Sequence, residues 1–167
     1  IQRYCDRNLG PTIFDDYAGD LARRAAAIGG EDVLEIAGGT GISTVALRKA
    51  LPAGTRIVAT DLNEPMLEIS KAKLAGAENI TFRQADAMAL PFDDAAFDLV
   101  CIQFGVMFFP GKPAAFSEAR RVLRPGGTLL FNVWSTMAAN PFAQITHANA
   151  EQFFPDNPPT FYLTPFG

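Results

Sequence analysis

Five short apolar runs alternate with segments of helical spacing along this chain, and that alternation admits few folds. The runs are Asp32–Ala37, Arg56–Thr60, Ile80–Gln84, Phe97–Ile102 and Thr128–Trp134. Phe97–Ile102 is continuous and apolar, the pattern of a strand buried on both faces. Helices are read over Thr12–Ile28, stopped by Gly29-Gly30, and over Ser43–Leu51, ahead of Pro52 and Gly54. Others are read over Glu64–Ala75, opened by Pro65, over Pro113–Leu123 and over Pro141–Phe153. Parallel strands need crossovers of this kind, and such crossovers are right-handed almost without exception. The expected fold is α/β: a doubly wound, mostly parallel sheet with helices on both faces. Its ligands are expected at the carboxyl ends of the strands.

A chain of 167 residues suits one domain, and 49% apolar with 19% charged residues supplies a sizeable core. Acids exceed bases 18 to 14, for a net charge of −4, which argues against a broad nucleic-acid or anionic-membrane surface. His147 is the only histidine, and Cys5 and Cys101 lie far apart, so no metal site is expected. One disulfide at most is no secreted framework, and a cytoplasmic location is the default. No run approaches 18 apolar residues, so no membrane insertion is expected.

The chemistry sits at the strand ends. The first run passes through Glu35-Ile36-Ala37 into Gly38-Gly39-Thr40-Gly41 just before a helix, where glycines allow a tight turn and close approach of a ligand. Asp61 closes the second run, where a carboxylate accepts hydrogen bonds from both hydroxyls of a ribose. Asp86 closes the third, where it suits an exocyclic amine such as that of adenine. Singly, each acid is equally a loop or cap residue; three at successive strand ends form a constellation. Thr44 stands where the third glycine of a dinucleotide fingerprint would fall, and no Lys follows Gly41 as in a triphosphate loop. An acid-lined crevice without a phosphate cradle suits a cationic nucleoside, and S-adenosyl-L-methionine has that chemistry.

The same residues resemble the motifs of class I S-adenosylmethionine-dependent methyltransferases. Val33–Gly41 is similar to their first motif and Ala59–Leu67 to the second. Asp86–Phe92 followed by Phe97-Asp98 looks like the third, and Glu118–Gly127 like the stretch before the fifth strand. The likeness runs from about Val33 to Trp134, nearest to the small-molecule branch that includes quinone-biosynthesis C-methyltransferases. It implies a Rossmann-like core at 31–135, a helical cap at 1–30 and the start of a substrate region at 136–167. It also implies roles. The backbone of Ala37, Gly38, Gly39 and Gly41 would hold the methionine part, supported by Glu35. Asp61 would take the ribose diol, with Leu62 and Met66 on the adenine; both are equally readable as core. Asp86 would take the adenine amine and the Ala87 amide a ring nitrogen, with Gln103 and Phe104 near the transferred methyl. Ala37 departs from the family's usual glycine, which puts the closeness of approach to the ligand in question.

The resemblance implies methyl transfer to a small-molecule acceptor, with the cofactor supplying the electrophile and the protein mainly holding the acceptor in line. No catalytic base is assigned, and His147 reads first as a surface or packing residue. Phe104, Met107, Phe108 and Phe109 form an apolar stretch suited to a lipophilic or aromatic acceptor, or to core. Phe14 and Tyr17 fall on the cap, and core packing of their helix explains them equally well. A cofactor-binding module without turnover and a nicotinamide oxidoreductase are the competing readings. The family's seven strands outnumber the five counted here, so an open fifth-strand edge and an unpartnered tail, Phe153-Phe154 and Phe161-Tyr162, are expected. Further sequence, or an element exchanged with a second copy in a homodimer, would cover them.

Overall fold

The computed structural model describes residues 5–160 and 163–166. Ile1–Tyr4, the Phe161-Tyr162 pair, Gly167 and the side chains of Cys5, Asp6, Arg7 and Leu9 lie outside the described residues. Among the described residues five strands form one parallel sheet: β1 (Asp32–Glu35), β2 (Arg56–Asp61), β3 (Ile80–Gln84), β4 (Phe97–Gln103) and β5 (Leu123–Asn132). Their spatial order is β3-β2-β1-β4-β5. The direction of winding reverses between β1 and β4, which opens a crevice at their carboxyl ends.

Period-two alternation divides the core between the two faces of the sheet. Val33, Ile57, Leu99 and Cys101 pack with Leu21, Ala22 and Ala25 of α1 (Asp15–Ile28) and Leu47 of α2 (Ile42–Ala50). On the other face, Leu34, Val100 and Ile102 meet Ala115, Ala119 and Val122 of α4 (Lys112–Val122). Helix α3 (Glu64–Lys73) leans on β2 and β3 and buries Leu67 and Ser70. These helices follow from local rules. Asp15 and Asp16 sit in the first turn of α1, where the helix dipole favours negative charge. Pro65 opens α3, while Arg120 and Arg121 occupy the last turn of α4. Among the described residues no helix is long and apolar enough to cross a membrane.

Two element starts differ from their sequence expectation, and one crossover, over which no helix is read, departs from strict strand–helix alternation. The first helix starts at Asp15 rather than Thr12, because Cys5–Phe14, which contains Pro11, winds as a wider π-helix ahead of it. The crossover from β3 to β4 contains no helix. Residues 85–96 run as irregular chain whose backbone groups are satisfied by α4: Arg121 donates to the carbonyls of Leu90 (2.9 Å) and Phe92 (2.8 Å), and Glu118 accepts from the Leu90 amide at 2.7 Å. The fifth strand starts at Leu123 rather than Thr128. Phe97 pairs with Leu123 and Leu99 with Thr128, so Arg124–Gly127 is absorbed as a bulge, with Gly126 at φ +84°. Strand β5 ends at Asn132, before Val133 and Trp134. Among the described residues it has a neighbour on one side, and Phe153 and Phe154 are exposed. Helix α5 spans Pro141–Phe153 as read, and a short helix α6 covers Leu163–Phe166.

An ion-pair network closes the end of the sheet opposite the crevice. Arg124 binds Asp98 at 2.7 Å and Asp32 at 2.9 Å, and Arg56 binds Asp32 at 2.6 Å. Asp98 also accepts the amides of Glu31 and Asp32 at 2.9 and 3.0 Å, so strands β1, β2, β4 and β5 are tied at one point. Hydrogen bonding from Arg56 holds the Asp32 carboxyl below its ordinary range, and Arg124 does the same for Asp98. A carboxyl depressed in the folded state adds stability above its unfolded pKa, and that stability is lost as pH falls through the folded value. Stability is therefore expected to fall as pH drops below about 4. Arg124→Ala should lower the urea midpoint at pH 6, and its deficit against the parent protein should shrink as pH is lowered toward 3. Urea titrations of both proteins across that range check this.

Candidate functional site

The crevice is built around the end of β1. Glu35 is the last residue of that strand, and its carboxyl is buried beneath the glycine turn. Ser43 donates to Oε1, and Thr44 to Oε2 at 2.5 Å, both from the first turn of α2. Burial pushes the Glu35 carboxyl up; the Ser43 and Thr44 hydroxyls pull it down, and the nearby Asp61 carboxylate adds a smaller upward push. Thr44, in the place of a third glycine, exchanges close backbone packing for a hydroxyl that anchors this acid. In the sequence Thr44 stands out only as a departure from another motif, and Ser43 belongs to none; a hydroxyl pair opening the helix after an acid is the signal that finds both.

The turn is fastened from beneath and from the side. The Gly38 amide donates to the Thr60 carbonyl (2.8 Å), and the Thr60 hydroxyl donates to the Glu35 carbonyl (2.8 Å). Gly41 lies at φ +85°, and a Cβ there would collide with the Ser70 hydroxyl and lie 2.8 Å from Ser70 Cβ, so both conformation and space demand glycine. Asp61, at the end of β2, reaches back to the turn: Oδ2 accepts the Gly39 amide at 2.9 Å and Oδ1 the Asn63 amide at 2.8 Å. A carboxylate offers about four lone-pair sites, so each oxygen retains one for a hydroxyl pair.

Leu62 follows Asp61 and is 66% exposed, which removes the reading of it as core. Met66 is half-buried on α3. Asp86 lies past β3, with Oδ1 accepting the Met88 amide at 2.9 Å, and Ala87 beside it is buried. Gln103 closes β4; Nε2 donates to the Phe14 carbonyl at 3.3 Å, while Oε1 is buried without a partner. Phe104 lies at φ +52°, its amide donating to Asn132 Oδ1 at 3.0 Å. Its ring stacks on Trp134 (centroids 4.4 Å) and meets the edge of Tyr17 (5.2 Å) and the tilted ring of Phe14 (5.7 Å). Phe166 also packs on Trp134, at 6.0 Å between centroids. Trp134 and Phe166 join no sequence motif, since only the converging ends of β4, β5, α1 and α6 assemble this cluster. Met107 is buried, Phe109 half-buried and Phe108 exposed.

Ala37 lies at φ +56°, where a glycine would be unstrained. Its methyl packs toward the core beside Gly105. His147 is apart from the constellation on α5, with Nε2 3.4 Å from Glu151 on the same helix.

The model of the ubiE/COQ5 methyltransferase family matches residues 13–157. A demethylmenaquinone methyltransferase of Clavibacter sepedonicus is 41% identical over 114 residues, which are 68% of this chain and 45% of the relative. The chain thus spans less than half the length of that relative. A candidate methyltransferase of Bacillus halodurans C-125 has a similar solved structure, with 29% identity and a TM-score of 0.66 over 82% of this chain and 59% of that one. An arsenic(III) S-adenosylmethionine methyltransferase of Chlamydomonas reinhardtii is also 29% identical, with a TM-score of 0.58 over 66% of this chain and 40% of its own.

The Glu35 anchor has a measurable pH signature. Its folded pKa is raised, so its contribution is fully present below the unfolded value and is lost as pH rises through the folded one. Glu35→Gln, which cannot ionise, should gain in urea midpoint relative to the parent protein as pH is raised from 4 to 8. Glu35→Ala should cost roughly 1–3 kcal/mol for each hydroxyl left without an acceptor. Equilibrium unfolding of the three proteins at both pH values checks the pair of outcomes.

Proposed function

This chain belongs to the ubiE/COQ5 methyltransferase family, and on that premise we propose that it transfers a methyl group from S-adenosylmethionine to a small planar acceptor of the quinone class in its reduced, quinol form. The observation that carries the reading is the set of acids, Glu35, Asp61 and Asp86, at three successive strand ends around a fastened glycine turn. The name of the Clavibacter sepedonicus relative supports the acceptor class, and the aromatic cluster at the ends of β4 and β5 is compatible with a flat ring.

The residues fit the cofactor group by group. Asp61 receives the ribose diol on its two remaining lone-pair sites. Asp86 Oδ2 takes the adenine amine, with the Ala87 amide offered to a ring nitrogen. Leu62 supplies an exposed apolar side chain for one face of the adenine, and Met66 lies on the following helix. The turn Ala37–Gly41 holds the methionine part from its backbone, supported by Glu35 below. The unpartnered Gln103 Oε1 suits a hydrogen-bond donor such as the methionine ammonium. When bound, the sulfonium supplies an electrophilic methyl, and displacement needs the acceptor atom held in line with it. Residues 31–135 are the cofactor core in this reading, 1–30 the cap, and 136–167 the start of the acceptor region. The net charge of −4 supports a small-molecule acceptor over nucleic acid.

Titration calorimetry with S-adenosylhomocysteine is expected to give saturable binding. Asp61→Ala should weaken it by roughly 1.5–3 kcal/mol through lost hydrogen bonds to a charged acceptor. Labelled methyl should pass to a naphthoquinol in a panel of small phenols and amines. Binding without transfer to any acceptor would favour a module without turnover. Tight binding of a nicotinamide dinucleotide, with no response to the homocysteine nucleoside, would overturn the reading.

A further inference from the structure

The loops after β1 and β4 meet at one point. A Cβ built on Gly105 would lie 2.7 Å from Ala37 Cβ, 3.0 Å from Ile102 Cγ2 and 3.5 Å from Phe109 Cζ. Gly105 itself has φ −89° and ψ −41°, a conformation open to any L-residue. Space, and not backbone conformation, therefore makes this residue glycine, and the Ala37 methyl takes up that space. The reverse holds at Ala37, where φ +56° favours glycine and the chain nonetheless carries a methyl. The two positions are complementary: one methyl fills one gap, supplied from the glycine turn.

What lies beyond the gap gives this contact a consequence. Gly105 is bonded to Phe104, which is also at positive φ (+52°) and is stacked on Trp134 at 4.4 Å with an interplanar angle of 15°. Tyr17 closes on both rings edge-on, at 5.2 Å to Phe104 and 5.4 Å to Trp134. Two backbone positions held away from the ordinary L-residue regions thus flank the point where the two loops approach. Such strain persists only where the surroundings impose it.

We propose that Ala37 is a positioning residue, whose methyl seated against Gly105 transmits the placement of the glycine turn to Phe104 and Trp134 and so sets the aromatic wall of the acceptor side. The inference rests on the proposed function, in which the turn takes the cofactor; it adds that occupation of the turn is felt at the acceptor wall. Ile36 reinforces the route, since its amide donates to the Cys101 carbonyl of β4 at 2.9 Å and keeps the two strand ends in register up to the contact. In this proposal the turn and the wall are coupled because the Ala37 methyl occupies the space that a side chain on Gly105 would need.

Trp134 is the sole tryptophan, so intrinsic fluorescence reads this wall without labelling. Four full-length proteins are compared: the parent, Ala37→Gly, Gly105→Ala and the exchange variant Ala37→Gly/Gly105→Ala. At saturating S-adenosylhomocysteine, with saturation established for each by calorimetry, the parent should show a change in Trp134 emission. Ala37→Gly should keep less than half of that change. Without ligand, Gly105→Ala should lower the thermal midpoint and alter Trp134 emission, because two methyls then compete for one gap. The exchange variant returns a single methyl to the gap from the other side, leaving the Ile102 methyl to give by a few tenths of an ångström. Its ligand-free emission and most of its ligand response should return toward the parent. A full response in Ala37→Gly, parental binding with no change in emission, or an exchange variant no better than Gly105→Ala would each overturn the proposal. If calorimetry finds no binding to the parent, the cofactor reading fails, and the ligand-free comparison of Gly105→Ala with the exchange variant still decides whether the contact positions Trp134.

Discussion

A single buried carboxyl, that of Glu35, is the constraint around which the crevice is assembled. A carboxyl removed from water must be hydrogen-bonded or remain protonated, since an isolated buried charge costs far more than a domain's margin of stability. Ser43 and Thr44 meet that need from the first turn of α2, which fixes where the helix starts and how it faces the strand. The glycine turn between them has little choice of path. A Cβ at Gly38 would already lie 3.0 Å from Glu35 Oε2, and Gly41 must pass beside Ser70.

Asp61 extends the arrangement to the second strand. Its two oxygens accept amides from two different loops, so the carboxylate joins the turn after β1 to the start of α3 while keeping capacity for a diol. On the other side, the Ala37 methyl meets the loop after β4, and Gln103 and the aromatic rings bring in α1, β5 and α6. The opposite end of the sheet has a different character. There Arg56 and Arg124 tie Asp32 and Asp98 together in a partly exposed network whose role is to hold strand register. Ion pairs gather at one end of the sheet and unused hydrogen-bond acceptors at the other, the end where the winding of a parallel sheet opens its crevice.

Family membership and the geometry of the strand ends bear on different questions. The match to the ubiE/COQ5 methyltransferases covers residues 13–157 and fixes the lineage, while the Clavibacter sepedonicus relative is matched over only 45% of its own length. The strand-end acids bear on the cofactor, because hydrogen-bond capacity at Asp61 and Asp86 can be counted residue by residue. In the proposed function the acceptor would meet the aromatic cluster and α5, whose Phe142 and Ile145 are exposed. Those elements come from distant parts of the chain, and a binding surface of that kind is set by assembly more than by any local motif.

The sequence by itself determined the sheet, the turn and the three acids. Each of these is encoded within a few consecutive residues: a run of apolar side chains, a glycine beside an acid, a carboxylate at a strand end. Even Pro141–Phe153 was legible to the residue, because proline and helical spacing are local signals. The tertiary structure decided what depends on residues far apart in the chain. The crossover at 85–96 dispenses with a helix because Arg121 and Glu118, some thirty residues later, satisfy its backbone. Strand β5 begins early because a bulge absorbs Arg124–Gly127 against β4. Leu62 is exposed because the turn after Asp61 points it away from the core, and Gly105 is glycine because Ala37 is not. A steric complementarity between two loops so distant in the chain leaves no periodicity in the sequence, and it exists only once the strands have been laid side by side.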